Sequence, residues 1–251
     1  MSTVPLLQAA SLTRRFGGLV AVDAVSLDLH RGQIHAVIGT NGAGKSTLIN
    51  LLSGEIPASS GEIRLAGKPI TTLAQPLRAR AGIGRSYQRT TIFPTLSVFE
   101  NCRLAAQAAH QKPWTLWQSA AGCRASTDAA LSALDASGLG DALGHTAGSM
   151  SHGKKRQLEI AMCLATAPQV LLLDEPLAGM GLEESERMLS MLERLRRDHA
   201  ILLVEHDMDA VFRVADRITV MVNGAVIASG NPQEVRSSPE VQRAYLGETH
   251  A

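Results

Sequence analysis

The stretch GTNGAGKST combines glycines, a lysine and hydroxyl side chains at a spacing suited to holding phosphate. It fits the pattern G-x-x-x-x-G-K-[ST] through Gly39, Gly44, Lys45 and Ser46. The glycines permit a tight turn whose backbone N–H groups approach phosphate oxygens closely. We therefore expect the lysine to reach the β- and γ-phosphates of a nucleotide and the serine hydroxyl to bind Mg²⁺. The predicted nucleotide-binding residues of the loop are Gly39, Thr40, Asn41, Gly42, Ala43, Gly44, Lys45, Ser46 and Thr47.

The position of this loop along the chain supports the same interpretation. It follows the apolar run IHAVIG (34–39), typical of a central strand, and precedes the apolar helix LINLLSG (48–54). A helix N-terminus adds partial positive charge beneath a bound phosphate. A glycine-rich turn without function is the alternative, and the strand–loop–helix order disfavours it.

A pair of carboxylates ends a second apolar run, VLLLDE (170–175). Asp174 can hold Mg²⁺ through water, and Glu175 is placed to polarise an attacking water molecule. A strand that ends in Asp-Glu is common in itself. Together with the phosphate-binding loop, it predicts ATP hydrolysis.

A third candidate is the turn MSHGK (150–154), which precedes a basic helix. Ser151 at a helix N-cap, the nearby Gly153 and free backbone N–H groups would together form an anion site. An ordinary helix cap is the alternative interpretation. The location of the turn between the phosphate-binding loop and LLLDEP favours a functional role.

The remaining segments predict an α/β fold that positions these motifs. Two early segments alternate as half-buried antiparallel strands, and two later apolar runs flank a helical segment, which indicates a parallel sheet. A strand pair with its turn at Asn223-Gly224 reads as a hairpin. The alanine-rich middle reads as an inserted helical subdomain. The alternating strands are 25–29 and 62–67. The apolar runs 170–175 and 200–207 flank the helical segment 182–198. The hairpin spans 217–230, and the alanine-rich middle spans 99–148.

The order of these motifs resembles the ATP-binding subunit of ABC transporters over nearly the whole chain. The resemblance implies a P-loop NTPase core with a RecA-like parallel sheet, an N-terminal antiparallel β-subdomain and an inserted α-helical subdomain at about 90–160. It also implies a single ABC ATPase domain over residues 5–250. A C-terminal helical extension is expected at about 232–251.

The resemblance assigns a role to the turn MSHGK, which is similar to the LSGGQ signature of that family. In the family this turn binds the γ-phosphate of ATP held by the opposing subunit. Ser151 and Gly153 match the signature, whereas His152 and Lys154 depart from its commonest form. Gly181 stands at the position of the family's D-loop aspartate, so this chain lacks that carboxylate.

Three further side chains correspond to family positions. Gln88 matches the glutamine that senses Mg²⁺ and faces the transmembrane partner. His206 matches the switch histidine that contacts the γ-phosphate, although a histidine after a strand is more often a surface residue. Phe16 stands where the family stacks an aromatic ring on adenine, although a single phenylalanine is more often part of a core.

The segments LAGMGLEE and EVRSSPEVQRAYLGE resemble those of branched-chain amino acid importers, and urea importers look similar. The resemblance implies a second ABC ATPase subunit in a homo- or heterodimer, two transmembrane permease subunits and an extracytoplasmic substrate-binding protein. It places the chain at the cytoplasmic face of the inner membrane. A urea importer, a lipid or lipopolysaccharide exporter and a non-transport ABC ATPase remain alternatives. A small-molecule kinase would leave MSHGK and His206 unexplained.

The composition fits a globular chain of 251 residues, with 45% hydrophobic and 19% charged residues. The net charge of +1 gives no case for attraction to nucleic acid, and we expect no nucleic-acid partner. We also expect no signal peptide and no membrane-spanning run. The three cysteines lack metal-binding spacing, which favours reduced structural cysteines in a cytosolic protein.

Overall fold

The computed structural model describes residues 4–88, 91–110 and 123–246. The strands are β1 (Leu7–Phe16), β2 (Leu19–Leu29), β3 (Ile34–Gly39), β4 (Ser60–Leu65), β5 (Lys68–Pro69), β6 (Ile83–Arg85), β7 (Val170–Asp174), β8 (Ala200–Val204), β9 (Arg217–Val222) and β10 (Ala225–Gly230). The helices are α1 (Lys45–Ser53), α2 (Gln75–Ala81), α3 (Val98–His110), α4 (Arg124–Ala136), α5 (His152–Leu164), α6 (Leu182–Leu195), α7 (Met208–Val214), α8 (Pro232–Ser237) and α9 (Pro239–Leu246).

A six-stranded sheet in the order β10-β9-β3-β8-β7-β6 carries the motifs. Strands β9, β3, β8, β7 and β6 run parallel, and β10 pairs antiparallel with β9 at the edge. The turn between β9 and β10 has positive φ at Asn223 (49°) and Gly224 (83°), as a two-residue hairpin turn requires. The predicted α/β fold, its parallel sheet and this hairpin are confirmed.

Alternate side chains of the central strands enter different cores, because successive residues of a strand point to opposite faces. Leu172 and Leu202 pack with α1 and the strands β1, β2 and β4 on one face. Leu171 and Leu203 pack with α6 and α7 on the other. Burial on both faces explains why these strands read as continuous apolar runs.

A second, antiparallel sheet of strands β2-β1-β4-β5 lies against the α1 face and confirms the N-terminal β-subdomain. The sequence patterns did not predict β1, whose pairing with β2 contains several register shifts that interrupt simple alternation. They also predicted that α1 begins at Leu48, whereas the helix begins at Lys45, directly after Gly44.

Helices α3, α4 and α5 pack around a hydrophobic cluster of their own. Its buried members include Val98, Cys102, Leu134 and Leu158. The bounds predicted for this subdomain stay a prediction, since position 90 and the segment 111–122 lie outside the described residues. The C-terminal helices α8 and α9 bury Val235 and Val241 against β9, and residues 247–251 are outside the described part.

Two further observations bear on the composition. All three cysteines are free. In the part of the chain that the structure describes, no helix is long and apolar enough to cross a membrane.

Candidate functional site

The phosphate-binding loop joins the carboxyl end of β3 to the first turn of α1. Gly44 caps the helix with φ of 98°, a left-handed conformation that favours glycine. A Cβ atom there would lie 2.2 Å from the carbonyl oxygen of Ala21. At Gly39 a Cβ atom would lie 2.3 Å from the carbonyl oxygen of Met221. Both glycines are therefore required by the close approach of neighbouring backbone.

Lys45 is buried at the start of α1, and its ammonium group folds over the loop. It donates to the carbonyl oxygens of Gly39 at 2.7 Å and Thr40 at 3.0 Å. Burial lowers the pKa of Lys45, and the nearby carboxylates of Glu175 and Asp174 act in the opposite direction. The cation therefore stands in the concavity of the loop, where phosphate oxygens can replace the carbonyl oxygens as acceptors.

An open cleft of about 680 Å³ lies over this loop. It brings Phe16, Gln88 and Glu175 together with loop residues that are distant from them in sequence. The Phe16 ring is 45% exposed, and the Arg14 guanidinium lies 4.5 Å from its centroid. The lining residues are Phe16, Leu19, Val20, Ala21, Asn41, Gly42, Ala43, Gly44, Lys45, Ser46, Thr47, Gln88, Glu175, Asn223 and Gly224.

Asp174 ends β7 and is buried, with an Oδ1 atom that has no hydrogen-bond partner among the described residues. Burial raises the pKa of Asp174, while Arg85 and Lys45 nearby lower it. A buried carboxylate oxygen without a partner fits a ligand to a divalent cation. The described chain holds no group of three His, Cys, Asp or Glu side chains that could bind a metal ion. Ser46 and Gln88, which line the cleft, are the other predicted ligands of Mg²⁺.

Glu175 adopts φ of 48°, which is strained for a residue with a side chain and is frequent at functional sites. Its carboxylate accepts a hydrogen bond from Nε2 of Gln88 at 3.2 Å. The Nδ1 atom of His206 lies 3.9 Å from the same carboxylate, and the His206 side chain is exposed. The structure thus places Gln88 and His206, two of the three predicted catalytic side chains, within 3.9 Å of the third, Glu175.

Glu205, the residue before His206, was not predicted as part of the site. It is buried and accepts hydrogen bonds from the backbone N–H groups of Leu177 at 2.8 Å and His206 at 3.3 Å. Burial raises the pKa of Glu205, and these two N–H groups act in the opposite direction. It therefore ties the turn after Glu175 to the end of β8. Its one sequence signal is a charged residue that directly follows an apolar strand.

The turn that caps α5 lies in a separate depression of about 200 Å³, which shares no lining residue with the cleft among the described residues. Ser151 is the N-cap and accepts from the N–H of Lys154 at 3.4 Å. The Ser151 hydroxyl donates to Oε1 of Glu184 at 2.9 Å. A Cβ atom on Gly153 would lie 2.6 Å from Cδ of the same glutamate. A carboxylate therefore occupies the predicted anion site.

His152 also connects this turn to the segment that follows Glu175. Its Nε2 atom lies 3.1 Å from the carbonyl oxygen of Ala178, which can only accept, so Nε2 carries the proton. The structure does not bring Ser151 and Gly153 to the cleft of their own chain.

This chain matches known protein families. The ABC transporter family matches residues 22–178, which cover the phosphate-binding loop, the α5 turn and the carboxylate pair. The chain belongs to the ABC transporter family. The branched-chain amino acid ATP-binding cassette transporter family also matches, at residues 225–251.

Relatives of this ATP-binding cassette extend over nearly the full chain. A high-affinity branched-chain amino acid transport ATP-binding protein, BraF of Pseudomonas aeruginosa, is 38% identical over 97% of this chain and 98% of its own length. LivG of Escherichia coli, of the same description, is 39% identical with the same coverage. A fructose import ATP-binding protein of Rhizobium meliloti is 36% identical over 96% of this chain and 94% of its own length.

Solved structures support the fold. A nucleotide-free ATP-binding cassette from an ABC transporter superposes with a TM-score of 0.86 at 28% identity, over 96% of this chain and 98% of its own. The ADP conformation of an ATP-binding cassette superposes with a TM-score of 0.84 at 27% identity, over 98% of this chain and 100% of its own. The predicted cassette fold and ATPase class are confirmed. The roles of the individual site residues stay predictions.

Proposed function

We propose that this cassette is the ATP-hydrolysing motor of an importer for branched-chain amino acids. The observation that carries the substrate class is the match of residues 225–251 to the branched-chain amino acid cassette family. The full-length likeness to BraF and LivG supports the same substrate class.

In the proposed mechanism the loop N–H groups and Lys45 bind the β- and γ-phosphates. Ser46, Asp174 and Gln88 would hold Mg²⁺, which would neutralise negative charge on the phosphates. Glu175 accepts a proton from the attacking water. His206, which lies beside that carboxylate, is placed to contact the γ-phosphate. Phe16 offers its exposed ring to the adenine.

The working unit is proposed to be a pair of cassettes, because Ser151 and Gly153 lie outside the cleft of their own chain. The signature turn of one cassette would then grip the nucleotide of the other, whether the second is a copy or a related subunit. Two permease subunits and an extracytoplasmic binding protein complete the importer. The cassettes sit at the cytoplasmic face of the membrane.

The dimer is tested by specific ATPase activity measured against protein concentration. Specific activity should rise with protein concentration until the dimer saturates, because total activity then rises faster than linearly, and Ser151→Arg should abolish the rise. Specific activity that is independent of concentration and untouched by Ser151→Arg would leave the turn as a plain helix cap.

The substrate class is tested by uptake in cells that lack this chain. Uptake of labelled leucine should fall, and the wild-type chain should restore it, whereas the Glu175→Gln chain should not. Fructose and urea uptake serve as controls. If leucine uptake is unchanged while fructose or urea uptake falls, the substrate class is wrong.

A further inference from the structure

Arg156 lies buried on α5, close after the signature turn, and reaches the segment that carries Gln88. Its Nη1 atom donates to the carbonyl oxygen of Tyr87 at 2.6 Å, and its Nη2 atom donates to the carbonyl oxygen of Gln88. Glu159, three residues further along the helix, accepts from Arg156 at 2.9 Å. The other oxygen of Glu159 accepts from the N–H of Thr91 at 2.7 Å. The pair therefore binds three backbone groups of this segment.

Stability alone is a weak reason for such a pair. The side chains of Arg156 and Glu159 are only 6% and 3% exposed, and a buried ion pair is often no more stabilising than apolar side chains of similar volume. An apolar pair would fill the same space, but it could not bind carbonyl oxygens. The planar guanidinium donates in several fixed directions at once, which suits it to fixing backbone geometry.

We propose that Arg156 is a positioning residue for ATP hydrolysis, because it holds the backbone of Gln88 where the Gln88 amide reaches Glu175. That amide donates to the Glu175 carboxylate at 3.2 Å. The inference rests on the proposed roles of Gln88 and Glu175. It has a second consequence, since Ser151 caps the same helix. Arg156 therefore couples the signature turn to Gln88 at this chain's own site. That turn would bind a second subunit's nucleotide.

The first test replaces the pair by apolar side chains of similar size, Arg156→Met with Glu159→Leu, in the cassette assembled with its transporter partners. We expect kcat to fall about tenfold to a hundredfold, the cost of a misplaced active-site group. The KM for ATP should stay within about twofold, because the phosphate-binding loop is untouched. Arg156→Lys keeps a charge beside Glu159 but lacks the fork, so we expect a partial fall in kcat.

The decisive measurement repeats the double replacement in a Gln88→Ala background. If Arg156 acts through Gln88, the combined variant should be no slower than Gln88→Ala alone. A control pair on α3, Arg103→Met with Glu100→Gln, removes another ion pair three residues apart, and its kcat should equal that of the wild type.

Three results would overturn the inference. The first is a wild-type kcat in the Arg156→Met/Glu159→Leu variant. If that variant does not fold, the second is a wild-type kcat in Arg156→Lys. The third is that the double replacement lowers kcat as much in the Gln88→Ala background as in the wild type. Glu175→Gln separates this failure from that of the proposed function. If Glu175→Gln is inactive while the pair variant is normal, only the role of Arg156 is wrong. If Glu175→Gln turns over normally, the assigned site is wrong.

Discussion

Replacing Glu184 by glutamine tests whether its carboxylate competes with ATP for the signature turn. The Ser151 hydroxyl has one proton to donate, and it donates it to Glu184 at 2.9 Å. A γ-phosphate oxygen that takes this hydrogen bond must displace the carboxylate. Glu184 therefore occupies, within its own chain, the site where a second subunit's nucleotide would bind.

The size of the competition follows from distance and charge. A carboxylate displaced from the hydroxyl but still beside the bound phosphate lies about 5 Å from it, and in water the two repel by about 0.8 kcal/mol per pair of unit charges. A terminal phosphate carries up to about two charges, so the repulsion is about 1 to 2 kcal/mol. Glu184→Gln should thus lower the ATP concentration for half-maximal ATPase activity about fivefold to thirtyfold. The kcat should not change, since Glu184 does not line the cleft.

The assay is steady-state ATPase activity against ATP concentration at fixed protein concentration. Glu183→Gln is the matched control, because it removes the same charge one residue earlier, where the exposed carboxylate pairs with Arg187 at 3.1 Å. An equal change in both variants would mean a general charge effect. If Glu184→Gln instead raises the ATP concentration for half-maximal activity, the carboxylate supports the signature turn, and the reasoning is refuted.

Four other substitutions probe the cleft itself. Lys45→Ala should weaken ATP binding by about 2 to 4 kcal/mol in calorimetry, because the cation among the phosphates is lost, and unchanged affinity would contradict its role. Glu175→Gln should bind ATP normally but hydrolyse it about 10² to 10⁴ times more slowly, and near-normal turnover in single-turnover assays would exclude it as the base. Gly44→Ala should lower thermal stability and ATP affinity, because its Cβ would meet Ala21 at 2.2 Å. Gly42→Ala, with φ of 79° but open space, should cost only the backbone strain of about 1 to 2 kcal/mol by chemical denaturation, and equal losses would contradict the steric account.

Much of the fold and the cleft could be predicted from short stretches of sequence. The loop from Gly39 to Lys45 works through glycine conformations and one side chain, so its residue types state its chemistry directly. The strands that end at Asp174 and near His206 are buried on both faces, and continuous apolar runs record that burial. Because the carboxyl ends of parallel strands meet at one edge of the sheet, local patterns were enough to gather these residues.

Other parts of the site could not be predicted, because they depend on partners far away in the chain. Ser151 and Glu184 are 33 residues apart, and Arg156 lies 68 residues from the carbonyl oxygen of Gln88 that it binds. In the sequence, Arg156 reads as one more charge on a basic helix. Its burial follows from the packing of α5 against the segment before α3, and no local periodicity encodes that contact.

Arg78 shows the same limit in the supporting structure. Within the run QPLRARA it looks like an exposed charge on a short helix, yet it is only 2% exposed. It donates to the carbonyl oxygens of Leu51 at 2.7 Å and Leu52 at 3.0 Å, in the last turn of α1. The last carbonyl groups of a helix lack partners within the helix and must be satisfied from elsewhere. Residue types and spacing thus specified the nucleotide chemistry, whereas folding selected which distant polar groups meet, because hydrogen-bond partners depend on how the elements pack.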